Sequence, residues 1–188
     1  MLGSLRSVPG YSLNVFAHHR ALDPERCAEC GFDGTRLTVP DAIAALRSMG
    51  RRWREAFQDV SDERLRRRPS PTVWSPLEYA AHTRDVLDLI GGGLPVVLDD
   101  ARPSYPGVVP DEDAPDHGYN ALDPAAVTDQ LAANAERIAD RAERALPEHW
   151  DRTATLGGEE TDAGWILRHA VHDASHHLRD VQKDLNRG

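Results

Sequence analysis

Lysine is nearly absent from this 188-residue chain: Lys183 stands beside arginines that make up the rest of its 22 basic residues. That bias suggests G+C-rich coding more than a function. Cysteine is almost as scarce. With only Cys27 and Cys30 there is no disulfide framework to support the fold, and a chain of this length buries a core without one. Long apolar runs are missing too, because Asp88 and Gly91 to Gly93 interrupt the best candidate for a membrane span. The first twenty residues lack the continuous apolar segment of a secretory signal, so a cytoplasmic protein is expected. Positive charge is in deficit. A net charge of −9 argues against general nucleic-acid binding, which needs a basic face to neutralise phosphates. The local cluster Arg64, Arg66, Arg67 and Arg68 reads as a solvated helix end. Strand-like alternation of useful length is also lacking.

What is present is helical periodicity. Residues 1–37 show none and form an irregular N-terminal arm; residues 38–188 form the expected domain. In "TVPDAIAALRSMGRRWREAF" the residues Ile43, Leu46, Met49, Trp53 and Phe57 recur every three to four positions, one buried helical face. Thr38 with Asp41 resembles a capping box. A second helix opens with the strongest start signal in the chain: Ser75 as N-cap, Pro76 at the first helical position, and Glu78 three residues after the cap. It is expected to end near Ile90 at the glycine triplet, followed by a short apolar piece around Leu94 to Leu98. The loop "RPSYPGVVPDEDAPDHGYN" comes next. Loops of that length in compact domains tend to be functional or mobile, which makes it a candidate lid. Asp123 and Pro124 open a third helix with Val127, Leu131, Ile138 and Leu146 on its stripe, and Pro147 stops it. After a turn at Gly157 and Gly158, with Thr161 as cap, a fourth helix is expected from about Asp162 to Leu185. Four such helices predict an all-α fold, a four-helix bundle.

The last helix carries the chemistry. "HAVHDASHHLRD" holds His169, His172, His176 and His177. Positions four apart lie nearly above one another on a helix, so His172 and His176 project from one face and can chelate one ion. His169 shares that stripe, whereas His177 is rotated about 100° from His176. A third ligand is expected from another helix, and His82 is the candidate. Three histidines with open coordination positions make a catalytic type of site, since structural zinc is usually closed by four protein ligands. Asp173, Asp180 and Asp85 are candidates to orient an imidazole, and His177 to carry a proton or to pair with Asp173 or Asp180. His18, His19, His117 and His149 read as ordinary surface or hydrogen-bonded residues.

The segment "TVWSPLEYAAHTRDV", with "HAVHDASHHLRDV" some ninety residues on, resembles the DinB-like (DinB/YfiT) four-helix metalloproteins. There a Trp-Ser-x-x-Glu-x-x-x-His segment and a terminal HxxxH segment supply a three-histidine divalent-metal site. The resemblance spans roughly Thr38 to Leu185 and maps the ligands onto His82, His172 and His176. It implies an antiparallel bundle with a long crossover, often dimeric, in a family with members that are metal-dependent thiol S-transferases using mycothiol or bacillithiol. The related mycothiol-dependent maleylpyruvate isomerases typically have Glu where this chain has His172 and often a further domain; this chain has neither, which counts against isomerase activity.

"RCAECGFDG" is a CxxC followed by Gly, the shape of a zinc knuckle. One knuckle gives two ligands, so a complete structural site needs His18, His19 or a partner chain; a redox or disulfide role and no special role are the alternatives. The leading functional expectation is an enzyme whose divalent metal (zinc first, then nickel, manganese or iron) activates a low-molecular-weight thiol for transfer to an electrophilic small molecule. Arg84, Arg168 and Arg179 are candidates to anchor carboxylates of the thiol cofactor. The alternatives are a metal-hydroxide hydrolase, with Asp85 or Asp173 as general base, and a non-catalytic metal-binding dimer.

Overall fold

The computed structural model describes residues 26–100, 102–105, 118–156 and 159–187. Most of the arm, with His18 and His19, and most of the candidate lid, with His117, lie outside the described residues, as does the Gly157–Gly158 turn. Five helices run in chain order: α1 (Val39–Phe57), α2 (Asp62–Arg66), α3 (Pro76–Leu98), α4 (Pro124–Glu143) and α5 (Ala163–Leu185).

The start signals act as expected. The Thr38 hydroxyl accepts from the Asp41 amide, and the Asp123 carboxylate accepts from the Ala126 amide. Ser75 and Glu78 form a complete capping box: Glu78 N–H donates to the Ser75 hydroxyl at 3.1 Å while Ser75 N–H donates to the Glu78 carboxylate at 2.8 Å. The four long helices pack in the ring α1–α4–α3–α5, so α1 faces α3 and α4 faces α5 across the diagonals. The core between them holds Leu46, Met49 and Trp53 from α1, Leu87, Ile90 and Leu94 from α3, Leu131 and Ile138 from α4, and Leu167 and Leu178 from α5, all essentially without solvent contact.

Four local expectations are corrected. Helix α3 does not stop at the glycines but continues to Leu98. Each glycine costs a helix roughly 1 kcal/mol, but the turns beyond them bury Leu94, Val97 and Leu98 completely, and that burial outweighs the cost. Helix α4 ends at Glu143, so Leu146 lies beyond it and is 53% exposed. The cap of α5 is Asp162, whose carboxylate accepts from the Trp165 amide at 2.6 Å, while Thr161 belongs to a strand. The strand itself was not expected: β2 (Thr153–Leu156) and β3 (Glu159–Asp162) pair antiparallel, and β1 (Ser104–Tyr105) pairs parallel with β2. Strands of two to four residues are too short to show a period-two pattern.

Three of the four clustered arginines are spent on the fold, and Arg67 is exposed. Arg64 reaches Asp184 at 2.7 Å, Arg66 pairs with Asp62 and donates to the Leu122 carbonyl, and Arg68 clamps Glu78. No helix among the described residues is long and apolar enough to cross a membrane.

Candidate metal centre

Helix α5 presents two interleaved i,i+4 rows, His172 with His176 and Asp173 with His177, separated by one residue and hence by about 100° of rotation. All four side chains are buried. The two rows serve different neighbours. Against α3, the ligand atoms of His82, Asp173 and His177 converge within 4.8 Å of one another. Against the described end of the arm, those of His172, His176, Cys27 and Cys30 converge within the same distance.

The expected trio of His82, His172 and His176 is therefore divided. His82 meets Asp173 and His177, its ring 5.0 Å from that of His177, because the face of α5 turned to α3 is the one that carries Asp173 and His177. His177, expected as a proton carrier, and Asp173, expected as an orienting or basic residue, both stand in the donor set. The His177 Nε2 to Asp173 Oδ1 distance is 3.4 Å, and the Asp173 side chain has no exposure at all. A carboxylate taken fully out of water needs a cation or strong donors beside it, and two imidazoles with one buried carboxylate suit a borderline divalent metal. The residues present fit such an ion.

Aromatic rings frame this set. Trp74 lies 4.9 Å from His82 and Tyr79 lies 5.2 Å from His177, ring centre to ring centre. Burial, reinforced by Asp180, Asp184 and Glu78, pushes the Tyr79 phenol up to about 12, so it keeps its proton at neutral pH. Trp74 opens the Trp-Ser-x-x-Glu-x-x-x-His segment noted in the sequence; Tyr79 was not singled out, although it stands three positions before His82 and so shares its helix face. Glu78 anchors the start of the same helix. Burial pushes its carboxyl up, but the Arg68 guanidinium and the Ser75 hydrogen bonds outweigh this and hold it below the ordinary carboxylate range.

The other expected site residues are placed elsewhere. Asp85 accepts from the Tyr119 hydroxyl at 2.8 Å and from Arg84 at 2.7 Å. Burial and that Asp85 contact raise the Tyr119 phenol well above its ordinary value. Arg84 is thus occupied by Asp85, with Gln130 at 3.4 Å. Arg168 lies against Gly164 at the start of α5. Arg179 donates to the Glu29 carbonyl at 2.8 Å, tying α5 to the cysteine turn. His169 is buried and stacked on Trp165 at 4.8 Å.

On the other face, Cys27 Sγ lies 3.6 Å from His176 Nδ1 and Phe32 stacks on His172 at 4.7 Å. Asp180 faces the opposite ring nitrogen, 3.2 Å from His176 Nε2. That hydrogen bond, opposed by burial and aided by contacts with Cys30 and Cys27, pushes His176 up to about 10. Burial raises the Cys27 thiol, and bonds from the Cys30 and Glu29 backbones, Cys30 and His176 bring it below its ordinary value.

Comparison with known proteins identifies the family and the fold. A family model described as the DinB superfamily matches residues 45–181. A solved structure, described as "YfiT from Bacillus subtilis is a probable metal-dependent hydrolase with an unusual four-helix bundle topology", superposes with a TM-score of 0.72 at 14% identity, covering 81% of this chain and 88% of that one. No curated protein matches.

Proposed function

Since the chain belongs to the DinB superfamily, we propose that it is a metal-dependent enzyme acting on a small molecule, with His82, Asp173 and His177 holding the divalent cation. The observation that carries this reading is the convergence of two imidazoles and a fully buried carboxylate from two helices of the bundle. Three protein donors leave coordination open, as catalytic rather than structural zinc sites do. Zinc suits the set best, and nickel, manganese and iron also accept imidazole with carboxylate. When bound, such a cation supplies Lewis acidity that lowers the pKa of a thiol or water brought to it.

The chain's own residues do the rest. Asp173 offsets part of the cation's charge, and Trp74 and Tyr79 pack on His82 and His177 and fix their ring planes. The protonated Tyr79 phenol stands ready to donate to a leaving group beside His177. We assign as substrate a low-molecular-weight thiol of the mycothiol type. Its sulfur bonds to the electrophilic carbon of a second small molecule, the bond to the leaving group breaks, and the thiol proton passes to solvent. The reading includes a homodimer, as the family resemblance implies. A second reading exchanges thiol for water and makes the centre a hydrolase, the activity described as probable for the Bacillus subtilis protein of the same fold.

The test combines elemental analysis of the metal with conjugation of added thiols to monobromobimane. Turnover should require metal and thiol, and should vanish in His82→Ala while the far-ultraviolet circular dichroism stays unchanged. Ester cleavage without thiol would select the hydrolase. Unchanged conjugation and metal content in His82→Ala would remove the proposed centre.

A further inference from the structure

The sequence motif that this function does not absorb is the CxxC, and the structure gives it partners. We infer that Cys27, Cys30, His172 and His176 form a second metal site, a closed Cys2His2 zinc centre that clamps the N-terminal arm onto α5.

Four donors of the right types converge within 4.8 Å. A tetrahedral ion with one sulfur near 2.3 Å and one nitrogen near 2.05 Å sets those two atoms about 3.6 Å apart. The Cys27 Sγ to His176 Nδ1 distance is 3.6 Å. The turn has knuckle geometry: Gly31 adopts φ of 76°, its amide donates to the Cys27 carbonyl at 2.8 Å, and the Cys27 amide donates to the Phe32 carbonyl at 2.9 Å. An L side chain at that φ is strained, which accounts for the glycine after the second cysteine.

The surroundings complete the assignment. Asp180 lies 3.2 Å from His176 Nε2, so that nitrogen donates to the carboxylate and leaves Nδ1, the atom facing Cys27, as the ligand. Phe32 covers the His172 ring, and Cys27 and His172 are 2% and 1% exposed, so solvent is kept from those two donors, while Cys30 at the rim is partly exposed. Two thiolates and two imidazoles fill four positions and leave none for substrate, which makes this centre structural. Its two histidines alternate along α5 with Asp173 and His177, so the clamp holds the same helix turn that presents the catalytic donors.

The experiment uses the full chain, purified reduced and loaded with zinc or with cobalt. Wild type should bind about two equivalents of zinc per chain, and its cobalt form should show near-ultraviolet thiolate-to-cobalt charge transfer with the visible bands of tetrahedral cobalt. Cys27→Ser with Cys30→Ser should lose one equivalent and the charge-transfer band; His82→Ala should lose one equivalent and keep the band. Loss in the first variant alone would overturn the catalytic centre and retain the clamp; loss in the second alone would do the reverse. Should the cysteine variant fail to fold, an organomercurial added to wild type replaces it. Reaction of both thiols should release one equivalent of zinc to a chromogenic chelator, and retention of all the zinc, or a Cys27–Cys30 disulfide in the purified protein, would overturn the clamp.

Discussion

Glu78→Gln removes a charge and keeps a shape, at the helix start from which His82 is presented four residues on. Glu78 is 3% exposed; it accepts from the Ser75 amide at 2.8 Å and from Arg68 Nε at 2.8 Å and 3.0 Å. Glutamine still accepts from Ser75, so the loss falls on the Arg68 pair. A charge-assisted bond is worth roughly 1.5–3 kcal/mol, and because the Arg68 side chain is 40% exposed its share is screened. We expect a cost of about 2 kcal/mol, which for a chain of this size lowers Tm by roughly 4–8 °C. The pH dependence carries the diagnosis. A carboxyl held below its ordinary value in the fold contributes stability that is present above the unfolded pKa and lost as pH falls through the folded one. The difference between wild type and variant should be complete at pH 7, shrink below about pH 4.5, and vanish in stronger acid. Calorimetry or thermal circular dichroism across that range measures it. A penalty that is independent of pH, or smaller than about 0.5 kcal/mol, would refute the assignment of Glu78 as a buried charged anchor.

Two glycines on long helices should respond in opposite directions. A Cβ on Gly50 would stand 2.5 Å from the Ala132 Cβ and 3.3 Å from its Cα, so Gly50→Ala should force α1 and α4 apart and cost about 1–3 kcal/mol in chemical denaturation. At Gly92 a Cβ meets nothing within 4 Å, so Gly92→Ala should stabilise by roughly 0.5–1 kcal/mol through helix propensity. Asp173→Asn should narrow the gap in Tm between zinc-loaded and chelated protein, since each hundredfold loss of affinity removes about 2.7 kcal/mol of linked stability. An undiminished gap would show that Asp173 is not a ligand.

Much of the fold was legible because each long helix announces itself locally. The stripe Leu46, Met49, Trp53 and the Ser75, Pro76, Glu78 start need no distant residue to be read. The continuation of α3 through Gly91–Gly93 was illegible, since it depends on the tertiary burial of Leu94 and Leu98. The short hairpin owes its existence to pairing rather than pattern.

The sequence by itself determined that α5 sets paired candidate donors on one face: an i,i+4 spacing does this whatever surrounds the helix. It equally set Cys27 and Cys30 three positions apart ahead of a glycine, the spacing of a knuckle. What only the tertiary structure decided is which row goes with which partner. Two rows one residue apart are equivalent along the chain and differ by about 100° around the axis. The α3 packing therefore sets Asp173 and His177 beside His82, while the arm brings the cysteines to His172 and His176. That choice is made by the phase of the helix against its neighbours, which is a property of the packed core and not of the spacing.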